Sequence, residues 1–110
     1  MKPRAFQIQR QDNVATLLDD AATGLAEIVG AQPQELQLTE PVERGHKVAL
    51  RDIAANESVI KFGVRIGSAT QPIIRGAWVH LHNLARDLDE RSGSLDLHSG
   101  VPTDTSSAYV

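Results

Sequence analysis

A chain of 110 residues has room for one domain with a small core. It holds no cysteine, which excludes disulfides and thiolate metal sites and suits a reducing compartment. A net charge of −3 argues against a general nucleic-acid binder, no apolar run approaches the ~20 residues that span a bilayer, and the N-terminus lacks the apolar core of a secretory signal, so the expectation is a cytoplasmic protein with no nucleic-acid or membrane partner.

Taken in order, Ala5 to Arg10 alternates, with Phe6 and Ile8 one way and Gln7 and Gln9 the other, which predicts a strand. Asp12-Asn13 is a turn signal. Val14 to Leu18 is a second apolar run, ended by Asp19-Asp20. Ala21-Ala22-Thr23-Gly24 reads either as one helical turn or as a degenerate copy of the turn pattern described below. Leu25 to Val29 is a strand closed by Gly30, and Gln32-Pro33-Gln34 is a loop. Glu35 to Val42 alternates again, with Leu36, Leu38 and Val42 on one face. Strands then follow at His46 to Arg51, Ser58 to Phe62, Val64 to Ser68 and Trp78 to Leu84, with a turn at Asp52 to Ala55 and Pro72 in a loop. Residues 85–110 are rich in Ser, Thr, Gly and charge. They are expected to form a flexible C-terminal tail or linker after a domain spanning 1–84.

One pattern recurs in the middle of the chain: an aliphatic residue, two residues, Gly or Asn, two residues, Val. The copies are Val42-Glu43-Arg44-Gly45-His46-Lys47-Val48, Ile53-Ala54-Ala55-Asn56-Glu57-Ser58-Val59 and Ile73-Ile74-Arg75-Gly76-Ala77-Trp78-Val79. The aliphatic residue anchors a turn to the core. Gly, or the next most tolerant residue Asn, supplies a positive φ. A strand then starts on a β-branched Val. The expected fold is mostly β and compact, built from short strands and tight turns.

Charge is unevenly spread. Residues 44–75 carry six basic side chains and only Asp52 and Glu57 against them, in an otherwise acidic chain. Such a stretch is either a solvated mixed surface or a face that attracts a small anion or an acidic partner. Three of the four histidines lie near it. His80 and His82, two apart on a predicted strand, share a face and can offer two imidazoles to one divalent metal, although zinc wants a third protein ligand. As plain structure they are polar residues on a solvated or partner-facing strand. Gly45-His46-Lys47 can hold a carboxylate, with Lys47 as a point charge, or be an exposed turn. Trp78, the one Trp, is expected in the core or under a partner. No nucleophile elbow, phosphate-cradling Gly loop or paired-carboxylate spacing is present.

The segments Asp12-Asn13-Val14-Ala15, Gly45-His46-Lys47-Val48-Ala49-Leu50-Arg51-Asp52-Ile53-Ala54, Val59-Ile60-Lys61-Phe62-Gly63, Ile66-Gly67 and Gly76-Ala77-Trp78-Val79-His80-Leu81-His82-Asn83 stand in the order and spacing of one domain. The chain resembles, over roughly residues 5–84, the N-terminal SAF domain of the altronate and galactarate dehydratase family. Asn56 departs from the family pattern where Gly is common, and Leu81 where a small polar residue is common.

The resemblance implies a β-clip (SAF-like) fold and the role of a small subunit, or N-terminal domain, of a hydro-lyase that dehydrates a sugar acid. It implies a large catalytic dehydratase subunit or domain as partner, a sugar-acid substrate, and a divalent metal, iron or manganese, in the complete enzyme, with none expected in the isolated chain. A homo-oligomer is compatible with it. On this reading His46, Lys47, His80 and His82 are the expected catalytic set. Asn83 and Arg51 are the expected substrate-binding residues, and His80 and His82 the expected metal pair. Alternatives are the small subunit of a sulfolactate sulfo-lyase-like enzyme and a non-catalytic carbohydrate-binding module.

Overall fold

A computed structural model of the chain describes residues 2–87. The elements are strands: β1 Arg4–Gln7, β2 Val14–Leu17, β3 Gly24–Gly30, β4 Gln34–Leu38, β5 Lys47–Ala49, β6 Ser58–Lys61, β7 Val64–Ala69, β8 Trp78–Val79 and β9 Leu84–Arg86. They form a six-stranded sheet of order β4-β3-β1-β2-β5-β8 and a three-stranded sheet of order β6-β7-β9. β1 and β3 run parallel, and the other pairs are antiparallel. This is the expected all-β domain of short strands and tight turns. Among the described residues no helix is long and apolar enough to cross a membrane.

The core divides in two. Ala5, Leu17, Ile28, Leu36, Leu38 and Val48 make one cluster, and Val14, Ala49, Ile53, Val59, Ile73 and Val79 anchor the other. β5 serves both, because successive side chains of a strand face opposite ways: Val48 enters the first cluster and Ala49 the second. No aromatic ring lies in either buried set, as the scarcity of aromatics requires.

The recurring pattern is a recurring turn. His46, Glu57 and Ala77 N–H groups donate to the carbonyls of Glu43, Ala54 and Ile74, at 3.0, 2.9 and 3.1 Å. Gly45, Asn56 and Gly76 sit at the third position with φ of 89°, 71° and 91°, the geometry of type II turns. Each turn then clips onto a strand end: Gly45, Asn56 and Gly76 donate to the carbonyls of Leu17, Ala69 and Ala49. The leading aliphatic residues pair by isolated bridges, Ala21 with Val42 and Ile53 with Ile73. Asp20 and Asp52, each one residue before a bridge, accept the Arg44 and Arg75 N–H groups at 2.9 Å. The segment Ala21–Gly24 is therefore an open copy of the pattern, not a helical turn.

Two expectations need correction. Trp78 to Leu84 is not one strand: β8 stops at Val79, a turn covers His80 to Asn83, and β9 begins at Leu84. The alternation of that sequence mimics a strand, but Asn83 folds its side chain back to accept the His80 N–H at 2.9 Å. The ordered fold also runs beyond residue 84, since Ala85 and Arg86 pair with Ser68 and Gly67 of β7. The tail expected from 85 onward otherwise lies outside the described residues.

Candidate functional site

Two of the turns deliver their next residues to one place. His46 follows the Gly45 turn, and Trp78 follows the Gly76 turn. β5 and β8 pair with Val48 opposite Trp78 and Lys47 opposite Val79. His46, two residues before Val48, therefore shares a face with Trp78. The indole Nε1–H donates to His46 Nδ1 at 3.1 Å. That nitrogen accepts, so the neutral ring keeps its own proton on Nε2.

Trp78 is the hub of the group. His80 stacks on it, with centroids 5.3 Å apart and planes 12° from parallel, and His82 lies tilted against it at 4.7 Å. His46 and His80 are 4.8 Å apart. The three imidazoles thus converge, though not through a strand's period of two. The His80–Asn83 turn does it, and Asn83 sets that turn. Its side chain accepts from His80 N–H and donates to the Trp78 carbonyl, both at 2.9 Å. Asn83 is buried, and this geometry makes it a positioning residue. The Trp78 N–H is itself held by the Glu40 carboxylate at 3.1 Å.

Electrostatics distinguish the members. Lys47 is 2% exposed, with no ion pair among the described residues. Burial lowers its amine to about 8, and the charges of Lys61 and Arg86 act in the same direction. The His80 imidazole is also held below its usual range, first by burial and then by the electrostatic effect of its neighbours His46, Lys47, His82 and Arg86, each of which disfavours a proton on it. His80 is therefore a neutral ring at pH 7, able to accept a proton, beside a cationic group that lacks a carboxylate partner. On the His46 side, a cavity of about 290 Å³ is lined by Pro41, Val42, His46 and Trp78 together with Asp20 and Glu43.

The residues do not fit a resident metal. Among the described residues no group of three or more His, Cys, Asp or Glu could hold one, and His46 Nδ1 is already taken by the indole. Arg51 is not part of the cluster. It lies past the other end of β5 and pairs with Glu57 at 2.8 Å. Sequence reasoning placed the histidines together but missed Trp78 as their hub and Glu40 as its support. No local signal marks Glu40, which is 38 residues from the group it holds.

Residues 3–87 match the family model of the altronate/galactarate dehydratase SAF domain. The chain is 35% identical over 97 residues to an altronate dehydratase of Bacillus subtilis (strain 168), covering 88% of this chain and 18% of that protein. It is 44% identical over 80 residues to a galactarate dehydratase (L-threo-forming) of Escherichia coli (strain K12), covering 70% of this chain and 14% of that protein. Against a (2R)-sulfolactate sulfo-lyase subunit alpha of Chromohalobacter salexigens it is 42% identical over 50 residues, which is 46% of this chain and 53% of that subunit. The chain thus spans less than a fifth of the two dehydratases.

Proposed function

The chain belongs to the altronate/galactarate dehydratase SAF domain family, and from that premise we propose that it completes the substrate site of a sugar-acid dehydratase at the boundary with a large catalytic portion. The observation that carries the reading is the group of His46, His80 and His82 around Trp78, with Lys47 on the opposite face of β5 but within electrostatic reach of His80. Elimination of water next to a carboxylate needs a base for the α-proton, an acid for the departing hydroxyl and a cation for the carboxylate. His80, neutral at pH 7, suits the base. His46, whose proton sits on Nε2, suits a donor. Lys47 suits the carboxylate. Asp20 and Glu43 in the adjoining cavity suit the hydroxyl-bearing carbons better than a second carboxylate, which they would repel. Any iron or manganese in the complete enzyme needs ligands from the large portion, because no group of three or more His, Cys, Asp or Glu among the described residues could hold it. The sulfo-lyase subunit alpha is a relative named as a subunit, and it supports a separate-subunit arrangement.

The test is reconstitution. The chain alone should turn over neither altronate nor galactarate. With its large portion supplied, His80→Ala and His82→Ala should each lower kcat by about 10²–10⁴, the usual loss of an acid–base group, and leave the melting temperature of the domain unchanged. The opposite outcome, a lower melting temperature with full activity per folded complex, would make these histidines structural.

A further inference from the structure

The β6–β7 hairpin closes on Phe62-Gly63, with Lys61 opposite Val64. Both central residues have positive φ, 62° and 72°, the type I′ turn that matches the twist of a two-residue hairpin. Asn-Gly is the favoured pair there, because Asn tolerates the left-handed region and a large side chain does not. This chain instead places a phenylalanine there and leaves that residue 62% exposed, with Val64 beside it 58% exposed. The conformation is unfavourable and the ring is not buried by the described residues.

The hairpin is nevertheless held firmly. Asp12 is buried and accepts the Gly63 N–H at 2.8 Å through Oδ1 and the Gln9 N–H at 3.0 Å through Oδ2. Asn13, 1% exposed, accepts from Ile60 N–H at 2.7 Å and donates to the Ser58 carbonyl at 2.9 Å. Two buried polar residues thus fix a strained turn whose most prominent group is a solvent-facing aromatic ring. Strain that the surroundings enforce marks sites of use more often than accidents, and aromatic rings dominate the anchors of protein interfaces.

We propose that Phe62, with Val64, is the anchor by which this domain docks into an apolar pocket of the large catalytic portion. The inference rests on the two-part enzyme proposed above. The occupant is set by size and placement. The related dehydratases carry more than four-fifths of their length beyond the matched region, and a site completed at the boundary needs a surface that holds this domain against that remainder. β7 starts at this turn and ends at Ala69, and the next residue, Thr70, donates its N–H to the carbonyl of Asn83 at 2.9 Å in the histidine turn. One strand, about 17 Å long at 3.3 Å per residue, therefore links the anchor to the candidate site.

The decisive variant is Phe62→Asn, measured on the full chain with and without its large portion. Asn suits the turn, so the free chain should melt higher, by about 4 °C. Association with the large portion should weaken about 30-fold, as for loss of an interface anchor, and kcat at saturation should be unchanged. Val64→Ser should weaken association in the same direction and leave the turn alone. If the wild-type chain does not bind the large portion, the two-part reading fails and takes this inference with it. If wild type and Phe62→Asn bind equally, only the anchor is overturned. A lower melting temperature for Phe62→Asn overturns it too, by making the ring structural. A wild-type dimer that Phe62→Asn dissolves assigns the surface to a second copy and also overturns it. So does a Phe62 ring already shielded from a soluble paramagnetic agent in the free chain, which would name residues 88–110 as the cover.

Discussion

The turns Glu43 to His46 and Ala54 to Glu57 share one backbone and serve different ends. Both close an i to i+3 hydrogen bond, both hold positive φ at the third position, and both clip onto a buried strand end. The residues after the clip differ. The first turn delivers His46 and Lys47, and neither meets a carboxylate among the described residues. The second delivers Glu57 and Ser58, and Glu57 satisfies itself locally by accepting from Ala54 N–H and from Arg51, both at 2.8 Å. The Glu57 carboxyl is accordingly held below its usual range by those two contacts. The difference teaches that the scaffold and the chemistry are separable here. The turn requires only the aliphatic anchor, the positive-φ residue and the following Val. The two positions between Gly and Val are free to be inert or functional.

The largest effect that tests this separation lies in the third turn. Gly76 and Gly45 have nearly equal φ, 91° and 89°. A Cβ on Gly76 would stand 2.0 Å from the Gln37 carbonyl oxygen, because this turn caps the outer edge of β4, whereas one on Gly45 would meet nothing within 4 Å. Gly76→Ala adds a backbone clash to left-handed strain and should cost about 3–5 kcal/mol, enough to leave a small domain largely unfolded. Gly45→Ala carries the strain alone, about 1–2 kcal/mol. Denaturant melts of the two variants check the ratio. Equal losses would mean the edge capping is not rigid.

The next effect compares Lys47 with its counterpart Ser58. A buried amine without a partner opposes folding. Its folded pKa, about 8, lies below the ordinary 10.5. Between those values the unfolded chain binds more protons, so stability rises with pH across that window. Lys47→Met removes the penalty and should stabilise the domain by about 1–3 kcal/mol at pH 7. The gain should shrink above pH 8 and vanish past about 10.5. In the reconstituted enzyme the same change should raise KM for the acid substrate. Urea melts of both proteins at pH 7 and pH 10.5 read the first effect. Destabilisation at pH 7 would show that the fold, and not the substrate, needs the amine.

The ease of reading this chain tracks the same division. The three turns were legible because a positive φ leaves a residue signature, and the bridge anchors were legible as the aliphatic residues before it. The core face of β4 was legible from the alternation of Leu36 and Leu38. The run Trp78 to Leu84 was not, because Trp, Val, His and Leu alternate as a strand does. A long-reaching amide, Asn83, breaks it, with no Gly or Pro to announce the break. Asp12 and Asn13 read as a turn signal, yet they are buried and hold the hairpin of β6 and β7 from 45–51 residues away. Side chains that replace backbone partners across such separations leave no periodicity. The convergence of His46 on His80 depended on strand pairing and was visible only as a shared motif.

The smallest effect concerns Asn56, the one positive-φ residue of the three turns that is not glycine. Its φ of 71° lies in the left-handed region. No hydrogen bond from its side chain is formed among the described residues, so it is there for its tolerance and not for a contact. Asn56→Gly removes residual left-handed strain, which favours folding, and frees the unfolded chain, which opposes it by about 0.5–1 kcal/mol. The two terms offset, and the net change should stay within about 0.5 kcal/mol. Asn56→Val tests the same point from the other side. A β-branched residue at positive φ should cost about 1–2 kcal/mol or more. If Asn56→Gly instead destabilises by more than about 1 kcal/mol, the Asn side chain holds something in solution, and the second turn is not the inert copy that its comparison with the first makes it.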